Sequence, residues 1–78
     1  MATKIRLRDL GCASAAVSCG FKVRAIERDA GGQAYFIFTQ TSELDLTIDA
    51  YWADTLEVKA RTLIENTKML KSRIYGER

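Results

Sequence analysis

Residues 21–40 constrain the fold more than any other stretch. They read FKVRAIER, DAGG and QAYFIFTQ. Two runs rich in β-branched and aromatic residues flank a turn of small and polar ones, the signature of a β-hairpin. Glycines in Asp29-Ala30-Gly31-Gly32 accept the positive φ that a tight turn needs. The first strand is predicted from about Lys22 to Arg28. Val23 and Ala25 fall on one side and Lys22, Arg24, Ile26 and Arg28 on the other. The second strand is predicted from about Gln33 to Thr39. Ala34, Phe36 and Phe38 share one face; Tyr35, Ile37 and Thr39 share the other. The Phe36/Phe38 face is assigned to the core with Val23 and Ala25. Burial of each phenylalanine contributes on the order of 1.5–3 kcal/mol.

The remaining segments read as one more strand and a set of helices. Lys4 to Arg8 alternates as KIRLR, with Ile5 and Leu7 on one side and Lys4, Arg6 and Arg8 on the other, a short strand. Asp9 is the N-cap of a helix over Leu10 to Cys19, whose alanines, serines and cysteines suit close packing. Gly20 occupies the left-handed position after it, and Phe21 supplies the apolar residue that completes a Schellman ending. Thr41 or Ser42 caps a second helix, with Glu43 and Asp45 in the first turn, where the helix dipole favours acids. Leu44, Ile48, Tyr51 and Trp52 form its apolar stripe. Asp54-Thr55 breaks this helix, and Leu56-Glu57-Val58 reads as a brief edge strand. A last helix runs from about Ala60 to Tyr75 with Ala60, Leu63, Thr67, Leu70 and Ile74 as its stripe and Ile64 beside it. Gly76 ends it, and Glu77-Arg78 is expected to fray.

Bulk properties bound the class. A chain of 78 residues is one domain by size, with a small core and modest stability. Its 47% hydrophobic and 28% charged residues are those of a globular protein. It has no run of about 18 apolar residues and no apolar segment at its N-terminus, so neither a membrane span nor a secretory signal is expected and the cytoplasm is the expected location. Cys12 and Cys19 lie about 10 Å apart along a helix, beyond the roughly 7 Å that a disulfide allows. They are expected to be free thiols and small core residues on one helix face. The net charge is only +2, but it is segregated: residues 1–28 carry a net +4, residues 29–58 carry six acids and no Lys or Arg, and residues 59–78 carry a net +4. Such segregation makes opposed basic and acidic faces, or cancels when the segments pack together.

The same residues argue against enzymology. Without histidine, a Ser-His or Cys-His pair cannot form. No phosphate-binding or dinucleotide fingerprint is present, and no cofactor is expected. Asp45 and Asp49 could hold a hydrated Mg²⁺, but helix-surface acids at this spacing are ordinarily solvated. One arrangement has binding content. With Phe36 and Phe38 inside, Arg24, Ile26, Arg28, Tyr35 and Ile37 line the outer face of the hairpin. Basic side chains beside a tyrosine on a sheet are a platform on which bases stack and phosphates are held. The competing reading is that a helix covers this face and the two isoleucines are a second core layer. The last helix adds Arg61, Lys68 and Lys71 to the candidate contact residues.

The Asp9-Leu10 helix start, Gly20-Phe21, Phe36-Ile37-Phe38, Ala50-Tyr51-Trp52 and the closing Leu70-Lys71-Ser72-Arg73-Ile74-Tyr75 carry a resemblance over nearly the whole chain. The chain resembles a family of small, uncharacterised bacterial domains met in mobile elements and phages and catalogued as a domain of unknown function. Lys59 departs from the acidic cap expected before the last helix. The resemblance implies a compact mixed fold and a mobile-element origin; it implies no activity and no binding residues.

The combined expectation is an α+β domain in the order β-α-β-β-α-(β)-α, with a small, mainly antiparallel sheet and helices packed on it. Function is expected to be that of a non-enzymatic binding module. Its partner is nucleic acid through the hairpin face, or alternatively another protein, as for a phage-type inhibitor or adaptor. Pairing into a homodimer would serve either.

Overall fold

A computed structural model describes residues 3–76 of the chain. Among them the order is β1 (Lys4–Leu7), α1 (Leu10–Ser18), β2 (Ala25–Arg28), β3 (Ala34–Thr39), α2 (Ser42–Trp52) and α3 (Ala60–Gly76). The three strands form one antiparallel sheet in the order β1-β3-β2. The most apolar strand takes the centre, and the two short strands that carry Lys4, Arg6 and Arg28 take the edges, where charge discourages further pairing. Because β1 and β2 are both antiparallel to β3, they run parallel to each other, and α1 joins them across the sheet.

Local signals account for the helix ends. The Asp9 carboxylate accepts the Cys12 amide at 2.8 Å. Gly20 has φ +99, and the Gly20 and Phe21 amides donate to the Val17 and Ala16 carbonyls, both bonds of a Schellman ending. Thr41 caps α2 by accepting the Leu44 amide at 3.0 Å. The end of α2 has the same two bonds, Asp54 to Tyr51 and Thr55 to Ala50, but the left-handed residue is Asp54, at φ +60. An aspartate tolerates this region better than most residues.

All three helices lie on one face of the sheet. The core gathers Leu7, Phe36 and Phe38 from the strands, Cys12, Ala13 and Ala16 from α1, Leu44 from α2 and Leu70 from α3. Residues 12–16 are buried in succession, so α1 is enclosed between the sheet and its sister helices. Small side chains permit that close approach. Its buried Ser14 hydroxyl donates to the Leu10 carbonyl at 2.7 Å, Ser18 Oγ donates to the Ser14 carbonyl, and Asn66 of α3 donates to Ser18 Oγ. Every buried polar group on this contact is therefore matched.

Several expectations need correction. The connection between β2 and β3 has five residues, 29–33, because Arg28 pairs with Ala34. Asp29 organises it: its amide donates to the Gln33 carbonyl, and its Oδ1 accepts the Gly31 and Gln33 amides, each at 2.9 Å. A four-residue turn would have paired Arg28 with Gln33. The extra residue slips the register by one and exchanges the two faces of β2. Ile26 therefore lies opposite Phe36 and packs on the core, whereas Ala25 lies opposite Ile37 on the far face. Val23 still reaches the core, since residues 21–24 precede the strand and do not share its alternation. Leu56-Glu57-Val58 is not a strand. Trp52 and Cys19 are exposed, because Trp52 is the last residue of α2 and Cys19 the cap that follows α1, both beyond the packed layer. Ala60 is also exposed, and Gly76 is the last residue of α3. The expected fraying of Glu77-Arg78 lies outside the described residues.

Candidate nucleic-acid interface

With the helices on one side, the other face of the sheet has no helical cover. It presents Lys4 and Arg6 from β1, Tyr35, Ile37 and Thr39 from β3, and Ala25 and Glu27 from β2. Ile37 is nevertheless only 2% exposed. Its cover comes from its neighbours on the same face, where the Arg6 guanidinium sits 4.0 Å above the centre of the Tyr35 ring. The Tyr35 hydroxyl donates to Asp29 Oδ2 at 3.2 Å. The face thus has a basic side toward β1 and an acidic side toward Glu27 and Asp29.

Of the candidate contact residues, the fold brings Arg24, Tyr35 and Ile37 to this face. The Arg24 amide donates to the Ile37 carbonyl at 2.7 Å, out of step with the register that pairs Ile37 with Ala25, and its Nε donates to Thr39 Oγ1 at 3.3 Å. Ile26 and Arg28 belong to the opposite face. Arg28 caps the end of α3, donating to the Ile74 carbonyl and, at 3.3 Å, to the Gly32 carbonyl. It thereby satisfies one of the carbonyls that a helix C-terminus leaves without a partner. Arg61, Lys68 and Lys71 are exposed on α3, in the helical layer, away from the open sheet face. Arg61 pairs with Glu65 at 3.6 Å, an exposed pair of little energetic weight. The eight residues therefore do not form one patch. Sequence reasoning left Lys4 and Arg6 out of the site. The KIRLR alternation held the signal, but not the fact that β1 pairs with the strand of Tyr35.

Protonation follows from these contacts. The carboxyl of Asp29 is held below the ordinary value of 3.8, chiefly by the Gln33 amide and further by the Tyr35 hydroxyl, the Gly31 amide and the nearby Arg6 charge. A carboxylate with a lowered folded-state pKa stabilises the fold above its unfolded pKa, and that contribution is lost as pH falls through the folded value. We therefore expect the stability of the wild type to decline below about pH 3.8 partly through Asp29. Asp29→Asn keeps an acceptor oxygen but cannot take up the proton, so its stability should fall less steeply over that range. Urea titrations at successive pH values check this. Elsewhere, burial raises the Cys12 thiol pKa, with the Asp9 charge adding to it. Burial likewise raises that of Tyr51, aided by the charge and hydrogen bond of Asp9.

Among the described residues, no three His, Cys, Asp or Glu side chains come together to hold a metal ion. Asp45 instead accepts weak bonds from Gln40. No helix among them is long and apolar enough to cross a membrane.

Fold and site together define a small α+β protein with a three-stranded antiparallel sheet, helices on one face and a charged, aromatic face left open. The family model described as "Domain of unknown function (DUF5659)" matches residues 3–76, and the chain belongs to that family. No curated protein and no solved structure matches it.

Proposed function

We propose that this protein is a non-enzymatic binding module of mobile-element or phage origin that holds a single nucleic-acid strand across its open sheet face, in the cytoplasm. One observation supports the reading: Lys4, Arg6, Arg24 and Tyr35 converge on a sheet face without helical cover. Cations there would meet phosphates, and the Tyr35 ring, already paired with a guanidinium, offers a base a π surface. Arg28, Ile26 and the α3 cations have no part in this contact.

Fluorescence anisotropy of a labelled single-stranded oligonucleotide tests it. Three phosphate contacts give a salt slope of about −2, so affinity should fall roughly 15- to 20-fold between about 50 and about 200 mM salt. Arg6→Gln and Arg24→Gln should each weaken binding and reduce the slope by about 0.7. Arg28→Ala should lower stability and leave the slope unchanged. Absence of binding at both salt concentrations would refute the reading.

A further inference from the structure

We propose that a groove in the helical layer docks a partner protein through a basic segment with an apolar anchor. The groove, of about 350 Å³, lies between the end of α2, the turn after it and α3, and is lined by Tyr51, Trp52, Asp54, Leu56, Val58 and Leu63. Trp52 is 64% exposed. It is nevertheless held in place: its ring packs edge-to-face on Tyr51, with centroids 5.0 Å apart, and the Tyr51 hydroxyl donates to Asp9 at 3.2 Å. The turn that forms the other wall is equally fixed, since the Thr55 and Leu56 amides both donate to the Ala50 carbonyl. A large aromatic side chain that is both exposed and ordered costs little entropy on binding, which is why tryptophan dominates interface energetics.

Charge selects the occupant. Residues 42–58 carry Glu43, Asp45, Asp49, Asp54 and Glu57 and no Lys or Arg. Asp49, Asp54 and Glu57 take part in no ion pair among the described residues. Of the cations that follow, Arg61 is paired with Glu65, and Lys59 lines a neighbouring hollow with Glu57, not this groove, whose one charged lining residue is Asp54. A segment that lays an apolar side chain against Trp52 and places Lys or Arg beside these acids complements both features. The open sheet face is on the other side of the molecule, so the two surfaces can be occupied together.

Trp52 is the sole tryptophan, so its emission reports on the groove directly. The probe is a synthetic amphipathic helix of leucine and lysine, with a leucine and glutamate helix as its counterpart. Titration with the lysine peptide should shift Trp52 emission to the blue; the glutamate peptide should not. The triple variant Asp49→Asn/Asp54→Asn/Glu57→Gln, with its fold verified by circular dichroism, should bind the lysine peptide at least tenfold more weakly and bind oligonucleotide as the wild type does. No shift with the lysine peptide, equal shifts with both peptides, or an unchanged affinity in the triple variant would overturn the proposal. So would a blue shift that grows with protein concentration alone, which would assign the groove to a second copy of the chain.

Discussion

Phe36→Ala is expected to remove a large part of the protein's stability. A domain of this length has about 4–12 kcal/mol in total at roughly 0.05–0.15 kcal/mol per residue. Phe36 is 1% exposed and sits on β3 between the sheet and the helices, in contact with a core drawn from five of the six elements. Truncation there loses the transfer energy of the ring and leaves a cavity that the surrounding elements cannot close, about 3–5 kcal/mol. Its neighbour provides the comparison. Ile37 is 2% exposed, almost as buried, but it points to the open face and is not part of the core cluster. Arg6 and Tyr35 can settle over a smaller side chain and water can reach the space, so Ile37→Ala should cost only about 2 kcal/mol, the low end of the range. Urea denaturation of both variants measures the difference. Equal costs would mean that the second face is packed as tightly as the first, and the nucleic-acid reading would lose its surface.

Gly11→Ala is expected to destabilise, although alanine ordinarily improves a helix by up to about 1 kcal/mol over glycine. A Cβ on Gly11 would sit inside the contact radius of the Tyr51 hydroxyl and 3.2 Å from Asp9 Oδ2. Neither can retreat easily, because the two are bonded to each other and Asp9 also caps α1. Overpacking of this kind costs about 1–3 kcal/mol. Tyr51→Phe removes the oxygen and leaves the ring carbon at an ordinary 3.4 Å from the new methyl group. Alone, it loses a hydrogen bond to a carboxylate, about 1.5–3 kcal/mol. In the alanine background it should cost far less, so a double-mutant cycle should show a coupling of about 1 kcal/mol or more. At about 4–8 °C per kcal/mol for a domain of this size, thermal denaturation resolves it.

Both variants probe contacts of different legibility. The core face of Phe36 was readable from alternation, because Ala34, Phe36 and Phe38 had to share a face. The fit of Gly11 to Tyr51 was not, because it joins positions 40 apart through a hydroxyl and a missing side chain. The candidate site divides in the same way. Tyr35 and Ile37 were placed on the correct face by the period of β3 alone. Arg28 and Ile26 were not, because their face depends on whether Gln33 belongs to the loop or to the strand. Lys4 and Arg6 could join the site only once β1 was known to lie beside β3.

Sequence alone was enough for the three helices, the three sheet strands and the helix ends that carry a cap, though not for the absence of a strand at Leu56-Glu57-Val58. Asp9, Gly20-Phe21 and Thr41 act on amides and carbonyls within a few residues, so their effect is written where they stand. Strand order, the face of β2 and the exposure of Trp52 and Cys19 came only from packing. These depend on one residue of loop length and on contacts such as Arg28 to Ile74 and Tyr51 to Asp9, 46 and 42 positions apart. Local periodicity cannot encode such pairings, because their energy appears only when the distant partner has arrived.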